Sequence, residues 1–395
     1  MIFQSLDDKE ECVGIYSDGK LHFNDIPDNL TKTWKYTGSL KDREVESAWV
    51  YCGGQSLDDV CPPDLQEAWQ KIQRKMRAFR RSFEIGKINL REHCFFDLVP
   101  QDALLEFCEL KNKITQHVFE NYEKPDNYEH LNKANQLLYK IKYQDLMLDN
   151  SNCRNLFVNS SLRSGSQRAM RGPRHIDYNL FGTVTGRLST KPVSFPILTI
   201  KKELRRLIRP HNDWFLSLDY NGAEVRTLLA LSEQEQPRTD VHDWNIHNIF
   251  ENPEMEREEA KTLFFAWLYN PDADHIKTNY YDRQKILDKY YDGEYINTVF
   301  GRRIQVENRK AFNYLIQSTT ADLVIERAVA IDEFLKNKKS FISHIVHDEI
   351  VIDFSDEERD LVEEIRNLFA TNKLDRFVVN LKAGKDYYNL GTLTV

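Results

Sequence analysis

Two aspartates in this sequence stand where a pair of carboxylates could act on a metal ion. Asp219 ends the apolar run Trp214 to Leu218, a pattern that predicts a strand. Asp348 lies between two further apolar runs that are short enough to be the strands of one hairpin. Carboxylate oxygens held side by side are the hard ligands that Mg²⁺ ions need for phosphoryl transfer. Either aspartate by itself would equally fit a turn or a helix cap, so the chemistry depends on the pair.

A second group of residues recurs at regular spacing within one segment. The group consists of Arg257, Lys261, Phe265 and Tyr269 in the run EREEAKTLFFAWLYN. Residues four apart drift by only about 40° around a helix, so all of them share one side. Cations at the N-terminal end suit a triphosphate, and the aromatic rings further along can pack on sugar and base. An amphipathic helix with solvated cations fits the same spacing, and this segment alone leaves both interpretations open.

The distribution of charge decides what the net charge means. The chain carries a formal charge of −8, which by itself disfavours a nucleic-acid partner. Residues 1–65 hold 13 Asp and Glu against 6 Lys and Arg, a balance of −7, so the remainder sums to −1. Three basic stretches lie in that remainder, Lys71 to Arg81, Arg163 to Arg174 and Lys201 to Arg209. Each alone suits a solvated face, but together they indicate a groove that binds a polyanion.

Composition excludes several classes of protein. The 395 residues are 41% hydrophobic and 29% charged, as in a globular protein of two or three packed units. No apolar run approaches the roughly 20 residues of a membrane span, and the N-terminus lacks the features of a signal peptide. We therefore expect a cytoplasmic protein without a membrane partner. The cysteines show no zinc-type spacing and are expected to be reduced packing residues: Cys12, Cys52, Cys61, Cys94, Cys108 and Cys153.

The first part of the chain predicts a small acidic β unit followed by helices. CVGIY and KLHF read as strands on either side of a turn at Ser17-Asp18-Gly19. Cys61-Pro62-Pro63-Asp64 predicts a boundary near residue 65. Apolar residues then recur at helical spacing from Leu65 to Phe83, and two more helical stretches follow near 101–122 and 129–148. Antiparallel helices with a basic end could bind the backbone of a nucleic-acid duplex. An ordinary helical bundle would show the same sequence pattern.

The elements that position the chemistry lie beyond residue 150, where strands and helices are mixed. Residues 214–218 and 350–354 read as strands, and 256–270 and 311–336 read as helices. This texture predicts an α+β fold.

An ordered set of motifs in this part of the chain resembles one known family. The set comprises Thr185-Gly186-Arg187-Leu188-Ser189, then Asp219-Tyr220 through Glu224 and Arg226, then Arg257, Lys261, Phe265 and Tyr269, then Arg309, Asn313 and Gln317, then His347-Asp348-Glu349. Its order and spacing are similar to those of the family A DNA polymerases, the DNA polymerase I group. The resemblance covers roughly residues 130–395, is weak over the predicted helical bundle and is absent from residues 1–65.

The resemblance implies a right-hand polymerase fold, in which an antiparallel palm sheet is joined to a helical thumb and fingers. The implied domains are a small acidic N-terminal β unit (1–65), a thumb (66–150), the first part of the palm (151–232), fingers (233–308) and the second part of the palm (309–395).

The resemblance also implies roles for the residues around the aspartates. Asp219 and Asp348 would bind two Mg²⁺ ions, with Mn²⁺ as a substitute, and Glu349 would be an auxiliary carboxylate. Arg257 and Lys261 would hold the triphosphate of a dNTP, and Lys261 would also protonate the leaving pyrophosphate. His247 is expected to touch phosphate oxygens. The remaining residues of the dNTP site would be Phe265 and Tyr269, which shape the base-pair pocket, and Glu224, a steric gate against a ribose 2′-hydroxyl.

Contacts with primer-template DNA are implied for a further group: Arg187, Arg309, Asn313, Gln317 and His347. Phenylalanine rather than tyrosine at position 265 predicts poor use of dideoxynucleotides.

The sequence departs from the family pattern at several positions. Asn221-Gly222 replaces a Ser-Gln pair, Asn270 replaces a glycine, and Ile345 replaces a glutamine. Thr190 to Pro196 stands where an Asn-Leu-Gln-Asn element is common. The stretches on either side of the Arg257 segment are also shorter than usual, which predicts trimmed fingers.

The implied activity is template-directed addition of dNTPs to a primer 3′-hydroxyl. A single-subunit RNA polymerase shares the aspartates and the Arg257 helix, but Glu224 and the TGRLS element speak against it. A non-catalytic replisome scaffold would have no reason to keep the intact set of Asp219, Asp348, Arg257 and Lys261.

We expect no proofreading exonuclease, because 65 residues ahead of the thumb cannot hold one. Asp42-Arg43-Glu44 matches an exonuclease D-x-E pattern but fits a charged surface turn better. The acidic unit is interpreted as an exonuclease remnant or as a docking surface for a separate exonuclease or processivity factor. The compact layout suggests a phage or another mobile replicon, in which case the protein would act in the host cytoplasm.

Overall fold

The structure is a computed structural model that describes residues 1–9, 14–23, 26–41, 43–90, 92–151 and 159–394. Asp42, from the predicted surface turn, lies outside these ranges. The chain divides into two compact units, Met1–Lys140 and Ile141–Val395. Among the described residues, no helix combines the length and the apolar character needed to cross a membrane.

The first unit combines short strands with long helices. Its elements are β1 (Phe3–Ser5), β2 (Ile15–Ser17), β3 (Lys20–His22), β4 (Lys32–Thr33), β5 (Glu46–Ser47), α1 (Ala48–Tyr51), α2 (Gln66–Ile85), α3 (Gln101–Asn121) and α4 (Tyr128–Lys142), the last of which runs slightly past the division. Helices α2 and α3 agree with the predicted ones. The predicted helix 129–148 ends early, at Lys142, and a short strand follows it.

The predicted hairpin near residue 18 is confirmed. Strands β1, β2 and β3 form an antiparallel sheet in which Ser17 pairs with Lys20. The two-residue turn between β2 and β3 has positive φ at Asp18 (47°) and Gly19 (75°), as tight hairpin turns require. Two residues of the predicted strand CVGIY, Cys12 and Val13, lie outside the described residues.

The predicted boundary near residue 65 does not separate two compact units. Leu6 and Tyr16 from the strand region share one buried core with Ile72 of α2 and Ile114 of α3. Strands of two or three residues cannot bury an apolar face by themselves, and here the helices cover that face. Residues 1–65 are therefore part of a larger unit that extends to Lys140.

The described cysteines of the first unit agree with the prediction of reduced packing residues. They are buried and free: Cys52, Cys61, Cys94 and Cys108. Burial raises the pKa of the Cys108 thiol to about 12 and that of Cys52 to about 11. Cys12 and Cys153 lie outside the described residues.

The second unit contains the predicted α+β region. Its elements are β6 (Met147–Leu148), α5 (Ser160–Arg171), β7 (Tyr178–Asn179), β8 (Ser189–Thr190), β9 (Ile208–Arg209), β10 (Trp214–Tyr220), α6 (Ala223–Leu231), α7 (Val241–Asn248), α8 (Arg257–Tyr269), α9 (Arg283–Tyr290), β11 (Tyr295–Asn297), β12 (Arg303–Gln305), α10 (Asn308–Phe334), β13 (Phe341–Val346), β14 (Glu349–Phe354), α11 (Val362–Ala370), β15 (Val379–Gly384) and β16 (Gly391–Thr392). The predicted segments 151–232, 233–308 and 309–395 fall largely within this unit and stay predictions as domains.

A five-stranded antiparallel sheet lies at the centre of the second unit. Its order is β13-β14-β10-β15-β16, so that β10 is paired on both sides. Phe215, Leu216 and Leu218 of β10 are fully buried, and helices α10 and α11 pack against the sheet. This burial explains why Phe215, on one face of β10, and Leu216 and Leu218, on the other face, are all apolar.

A helical core supports α8 beside this sheet. Phe264 and Leu268 of α8 are buried together with Leu228 of α6 and Leu315 of α10. The buried residues of α8 alternate with the sequence-predicted site residues at helical spacing. Packing of the apolar stripe therefore turns the other stripe, which contains Arg257 and Lys261, away from the core.

Candidate active site

The two predicted metal ligands are positioned by neighbouring strands. Asp219 is the penultimate residue of β10, where it pairs with Glu349 on one side and Asn380 on the other. Asp348 lies in the two-residue turn between β13 and β14, since Val346 pairs with Glu349 across it. The hairpin predicted around the His-Asp-Glu tripeptide is confirmed, and Asp219 comes beside it because β10 pairs with β14.

The turn that carries Asp348 has an uncommon backbone conformation. The preceding residue, His347, has a positive φ of 57°, in the left-handed region that residues other than glycine rarely adopt. A two-residue hairpin turn requires such a conformation. The tight turn keeps Asp348 within one residue of the strand and so next to Asp219.

The electrostatics of the pair are those of two carboxylates held close together out of water. Burial, and then the charge of Asp348, raises the pKa of Asp219 to about 7. Burial also raises the pKa of Asp348. A divalent cation would relieve both effects, because it supplies the positive charge that buried, mutually repelling oxygens lack. The donor set therefore fits hard metal ions. Among the described residues, no group of three or more His, Cys, Asp or Glu is arranged to hold a metal, so this candidate centre rests on the two aspartates.

Glu349 is fixed by hydrogen bonds beside the aspartates. Its Oε1 accepts a hydrogen bond from Ser217 Oγ at 2.6 Å, and its Oε2 accepts one from Tyr387 Oη at 2.7 Å. Burial and the nearby charge of Glu349 raise the pKa of Tyr387, so the phenol stays a donor. Sequence reasoning assigned Glu349 an auxiliary role but could not find Ser217 or Tyr387, since these partners come from other strands and loops.

One cleft of about 460 Å³ brings together most of the predicted dNTP-site residues. Its lining includes Arg187, Asp219, Glu224, Arg257, Lys261, Phe265, Tyr269, His347 and Asp348. These residues come from the β7–β8 connection, the end of β10, α6, α8 and the β13–β14 turn. Segments far apart in sequence thus converge on the carboxylate pair.

The α8 residues of the cleft follow the order expected from their spacing. Arg257 opens the helix, Lys261 follows one turn later, and Phe265 stacks on Tyr269 with ring centroids 5.6 Å apart. The cations are thus at the N-terminal end and the aromatic rings at the C-terminal end. A ligand with an anionic tail and a flat apolar end would match this gradient along the helix.

Glu224 is a buried carboxylate with two partners in the cleft. It pairs with Arg187, and Tyr269 Oη donates a hydrogen bond to Oε2 at 2.5 Å. Burial raises the pKa of Glu224. These contacts hold the side chain in one position, which a residue that acts by steric exclusion needs.

Gly186 of the TGRLS element is required by a close approach of another side chain. Its φ is 77°, and an added Cβ would come within 2.4 Å of Arg302 Nη2. Arg302 is itself fixed by a two-bond ion pair with Asp322 of α10, at 2.8 and 2.6 Å. The glycine lets the loop lie against this pair, and Arg187 follows directly into the cleft.

The structure does not bring His247 into the cleft. His247 is exposed, whereas His242, on the first turn of the same helix α7, is buried and lines the cleft. Burial, and then the charge of Arg257, lowers the pKa of His242 to about 4, so the ring is neutral at pH 7. Five positions along a helix turn a side chain by about 140°, which is why the two histidines face different ways. The sequence contains a signal that favours His242. Asp240 is a residue type that caps helices well, and a histidine two residues after the cap lies in the first turn of the helix.

The remaining predicted DNA-binding residues lie on α10 outside the lining of this cleft. Arg309 forms an exposed ion pair with Asp272, and Gln317 Nε2 donates to Asn313 Oδ1 at 2.7 Å. The three α10 residues are one turn apart on the helix, and their predicted contacts with DNA stay predictions.

A second cleft of about 470 Å³ meets the first at the carboxylate pair. Both are lined by Asp219, His347 and Asp348. The second cleft adds the cations Lys202, Arg205 and Lys382, together with Glu349, Tyr387 and Tyr388. Sequence reasoning found the basic stretch Lys201 to Arg209 but not its position beside the aspartates.

The chain is similar in sequence to known DNA polymerases. Residues 278–389 match the model of the family described as "DNA polymerase family A". DNA polymerase I, thermostable, from Thermus aquaticus is 26% identical over 245 residues, which are 49% of this chain and 29% of that protein. DNA polymerase I from Caldicellulosiruptor bescii is 26% identical over 274 residues, 55% of this chain and 32% of that protein. The chain thus spans about a third of the length of these curated relatives.

The fold is similar to that of a solved polymerase domain. The POL domain of Pol1 from M. smegmatis, solved in complex with DNA primer-template and dNTP, aligns with a TM-score of 0.64 at 16% identity. The alignment covers 88% of this chain and 82% of that one. This likeness confirms the predicted α+β polymerase fold. Together with the sequence matches, it confirms the resemblance of the motifs to the family A DNA polymerases.

Proposed function

We propose that this chain is a template-directed DNA polymerase that adds dNTPs to a primer 3′-hydroxyl. The observation that carries the proposal is the convergence of the predicted residues from five separate segments on one cleft around Asp219 and Asp348. A scaffold protein would gain nothing from such convergence. The relatives named DNA polymerase I support the same activity, as does the structural neighbour, whose complex contains primer-template and dNTP.

Asp219 and Asp348 would hold the two divalent ions, Mg²⁺ or Mn²⁺. When bound, such ions activate the attacking oxygen and neutralise charge that develops on the leaving phosphate. The protein's own contribution is to hold both carboxylates rigidly at the ends of paired strands.

The nucleotide would lie along α8. Its triphosphate would contact Arg257 and Lys261, and the neutral His242 would donate a hydrogen bond to a phosphate oxygen. The 3′-hydroxyl would lose its proton to water as its oxygen attacks the α-phosphorus, the bond to the bridging oxygen of pyrophosphate would break, and Lys261 would donate a proton to that leaving group. Phe265 and Tyr269 would pack against the new base pair.

Glu224 would exclude ribonucleotides. Its contacts with Arg187 and Tyr269 prevent it from swinging aside to admit a 2′-hydroxyl. Both DNA polymerases and single-subunit RNA polymerases would use the two aspartates. A Glu224 side chain that is held in place against a 2′-hydroxyl favours the DNA polymerase.

The primer would approach through the second cleft. In-line displacement places the attacking and leaving oxygens on opposite sides of the reacting phosphorus. With the triphosphate in the first cleft, the 3′-hydroxyl must come from the other side of the aspartates, where Lys202, Arg205 and Lys382 could contact backbone phosphates. Arg187, His347 and the α10 residues Arg309, Asn313 and Gln317 would complete the contacts with primer and template.

The proposal extends to proofreading and partners. We expect no exonuclease activity from this chain, whose first unit is a single compact body of short strands and helices. A separate exonuclease or processivity factor could dock on the acidic residues 1–65. The reaction would take place in the cytoplasm, that of a host cell if the chain is encoded by a phage.

The test is extension of a labelled primer on a template by the purified protein with Mg²⁺ and dNTPs. Asp219→Asn and Asp348→Asn should each reduce extension by about a thousandfold, because several kcal/mol of charge stabilisation are lost. Glu357→Gln is a matched control, since it removes an exposed carboxylate paired with Lys339. DNA binding without extension by the wild type would contradict the proposal and favour a scaffold, and shortening of the primer without dNTPs would contradict the absence of proofreading.

A further inference from the structure

Arg257 forms ion pairs with two carboxylates of the protein itself. Its Nη2 lies 2.8 Å from Asp240 Oδ2, and its Nη1 lies 2.8 Å from Glu258 Oε1. The hydrogen bond to Asp240 is the main reason that the pKa of Arg257 is raised. Lys261, by contrast, has no ion-pair or hydrogen-bond partner among the residues that the structure describes. The two cations proposed to bind triphosphate therefore differ in availability.

Asp240 does not depend on Arg257 for its hydrogen bonds. Its Oδ1 caps α7 by accepting from the backbone N–H groups of His242 (2.9 Å) and Asp243 (3.2 Å). Its Oδ2 accepts from Asn221 Nδ2 at 2.6 Å. Burial alone would raise the pKa of Asp240, but the hydrogen bonds from Arg257 and Asn221 outweigh it and hold the pKa well below its ordinary value. Each oxygen would stay hydrogen-bonded if Arg257 left, so the release of Arg257 exposes no unsatisfied acceptor.

Asn221, which donates a hydrogen bond to Asp240, stands at a position where this chain departs from the family pattern. Asn221 and Gly222 replace the usual Ser-Gln pair, and Asn221 Oδ1 accepts from the backbone N–H of Val241 at 2.8 Å. Gly222 has a φ of 69°, and a Cβ there would lie 2.4 Å from Val241 Cγ1. The turn after Asp219 and the start of α7 are thus built to fit each other. Arg226, which is fully buried, ties them further by donating to Asn221 and to the carbonyl groups of Pro237 and Thr239.

We propose that Asp240 sets the nucleotide affinity of the cleft by holding Arg257 until a triphosphate displaces it. This inference rests on the proposed function of the cleft. An incoming triphosphate meets Lys261 first and then competes with Asp240 for the guanidinium. The triphosphate displaces Asp240 from the guanidinium because it carries more negative charge than one carboxylate. Asp240 also keeps the hydrogen bonds from its other donors when Arg257 leaves. Asp240 thereby weakens binding of every ligand that needs Arg257.

The first measurement is calorimetric titration of the protein with dATP, with deoxyadenosine as a ligand that has no phosphate. Asp240→Asn removes the charge but keeps a residue that caps helices well. We expect it to bind dATP about two- to fivefold more tightly, the range for loss of a partly exposed ion pair. Binding of deoxyadenosine should not change. In primer extension, the KM for dATP should fall by the same factor.

Two further variants separate this role from a structural one. Glu258→Gln removes the other carboxylate on Arg257, but the Glu258 side chain is 76% exposed, so we expect a change of less than about 1.5-fold. In an Arg257→Ala background, Asp240→Asn should have no effect on dATP affinity, since the two residues act on one interaction. Thermal unfolding of each variant reports any loss of the α7 cap independently.

The outcomes distinguish the inference from the proposed function. Unchanged or weaker dATP binding by Asp240→Asn, or a persisting effect in the Arg257→Ala background, would overturn the role of Asp240. Primer extension by the wild type would leave the polymerase proposal standing in that case. Tighter dATP binding by Asp240→Asn without any extension by the wild type would support the role of Asp240 in a nucleotide cleft of another enzyme.

Discussion

The two clefts that meet at Asp219 and Asp348 are built differently. In the first cleft, the proposed nucleotide site, Arg187 is paired with Glu224 and Arg257 with Asp240. In the second cleft, Lys202, Arg205 and Lys382 form no ion pair with any residue in the described ranges. Arg205 lies instead over the ring of Tyr387, 4.8 Å from its centroid.

This difference matches two kinds of recognition. Paired charges hold side chains in fixed positions, so a small ligand must fit a preformed arrangement and displace specific contacts. Unpaired cations attract any strand of phosphates, with an affinity that depends on salt rather than on base sequence. The first cleft is therefore suited to select a nucleotide, and the second to hold a strand of any sequence.

The largest effect within this comparison is expected for Lys261→Ala. The variant removes Lys261, which has no ion-pair or hydrogen-bond partner among the described residues and is the proposed proton donor to pyrophosphate. General-acid catalysis contributes about 10²–10⁴-fold, so kcat should fall by at least about a hundredfold. Single-turnover extension at saturating dNTP measures this. Lys202→Ala is the matched control from the second cleft. An equal loss of kcat in that variant would contradict the proposed difference in function between the two clefts.

Glu224→Ala should alter selectivity more than rate. Removal of the fixed carboxylate opens space for a 2′-hydroxyl, and we expect incorporation of rNTP relative to dNTP to rise by at least about tenfold. Competition between the two nucleotides in primer extension gives the ratio directly. Tyr269→Phe, which removes one hydrogen bond to Glu224 but keeps the carboxylate, should give a smaller rise. An unchanged ratio in Glu224→Ala would remove its role as a gate.

Alanine substitutions at Lys202, Arg205 and Lys382 should weaken binding of primer-template without changing the KM for dNTP. Each cation that contacts a phosphate contributes about 0.9 to the slope of log K against log salt, so each loss should reduce the slope by nearly that amount. Fluorescence anisotropy across a series of salt concentrations is the measurement. A higher KM for dNTP with the salt slope intact would place these cations on the nucleotide side instead.

The smallest effect is expected from the two histidines of α7. His242→Ala should raise the KM for dNTP by about fivefold, which corresponds to the usual net contribution of about 1 kcal/mol for one hydrogen bond. His247→Ala should change it by less than about 1.5-fold, because His247 is exposed and outside the cleft lining. Steady-state kinetics of both variants suffices. A larger rise in KM for His247→Ala than for His242→Ala would support the predicted contact of His247 with phosphate oxygens.

Sequence patterns predicted the local elements that carry the site. The apolar run before Asp219, the hairpin around Asp348 and the helix from Arg257 to Tyr269 all form as expected. Each depends on interactions within a few residues or between adjacent strands, which periodicity and turn residues report well. The helix predicted over 129–148 ends earlier, at Lys142.

Interactions between distant segments could not be predicted in this way. The partners of Glu349 lie at Ser217 and Tyr387, and the partner of Arg257 lies at Asp240 on a different helix. The choice of His242 over His247 follows from which side of α7 is buried. The core of the first unit likewise joins residues from both sides of the predicted boundary near residue 65, which local patterns do not report.

The sequence by itself determined the resemblance to a known family, the residue types and the order of the chemical groups along the chain, because these reside in local motifs whose spacing sets strands, turns and helix faces. Tertiary structure decided which charges are paired and which are available. That depends on the packing of β10 against β14 and of α7 against the turn after Asp219. A charged side chain can meet many partners in an unfolded chain, and only the packed fold leaves Arg257 with Asp240 and Lys261 with none among the described residues.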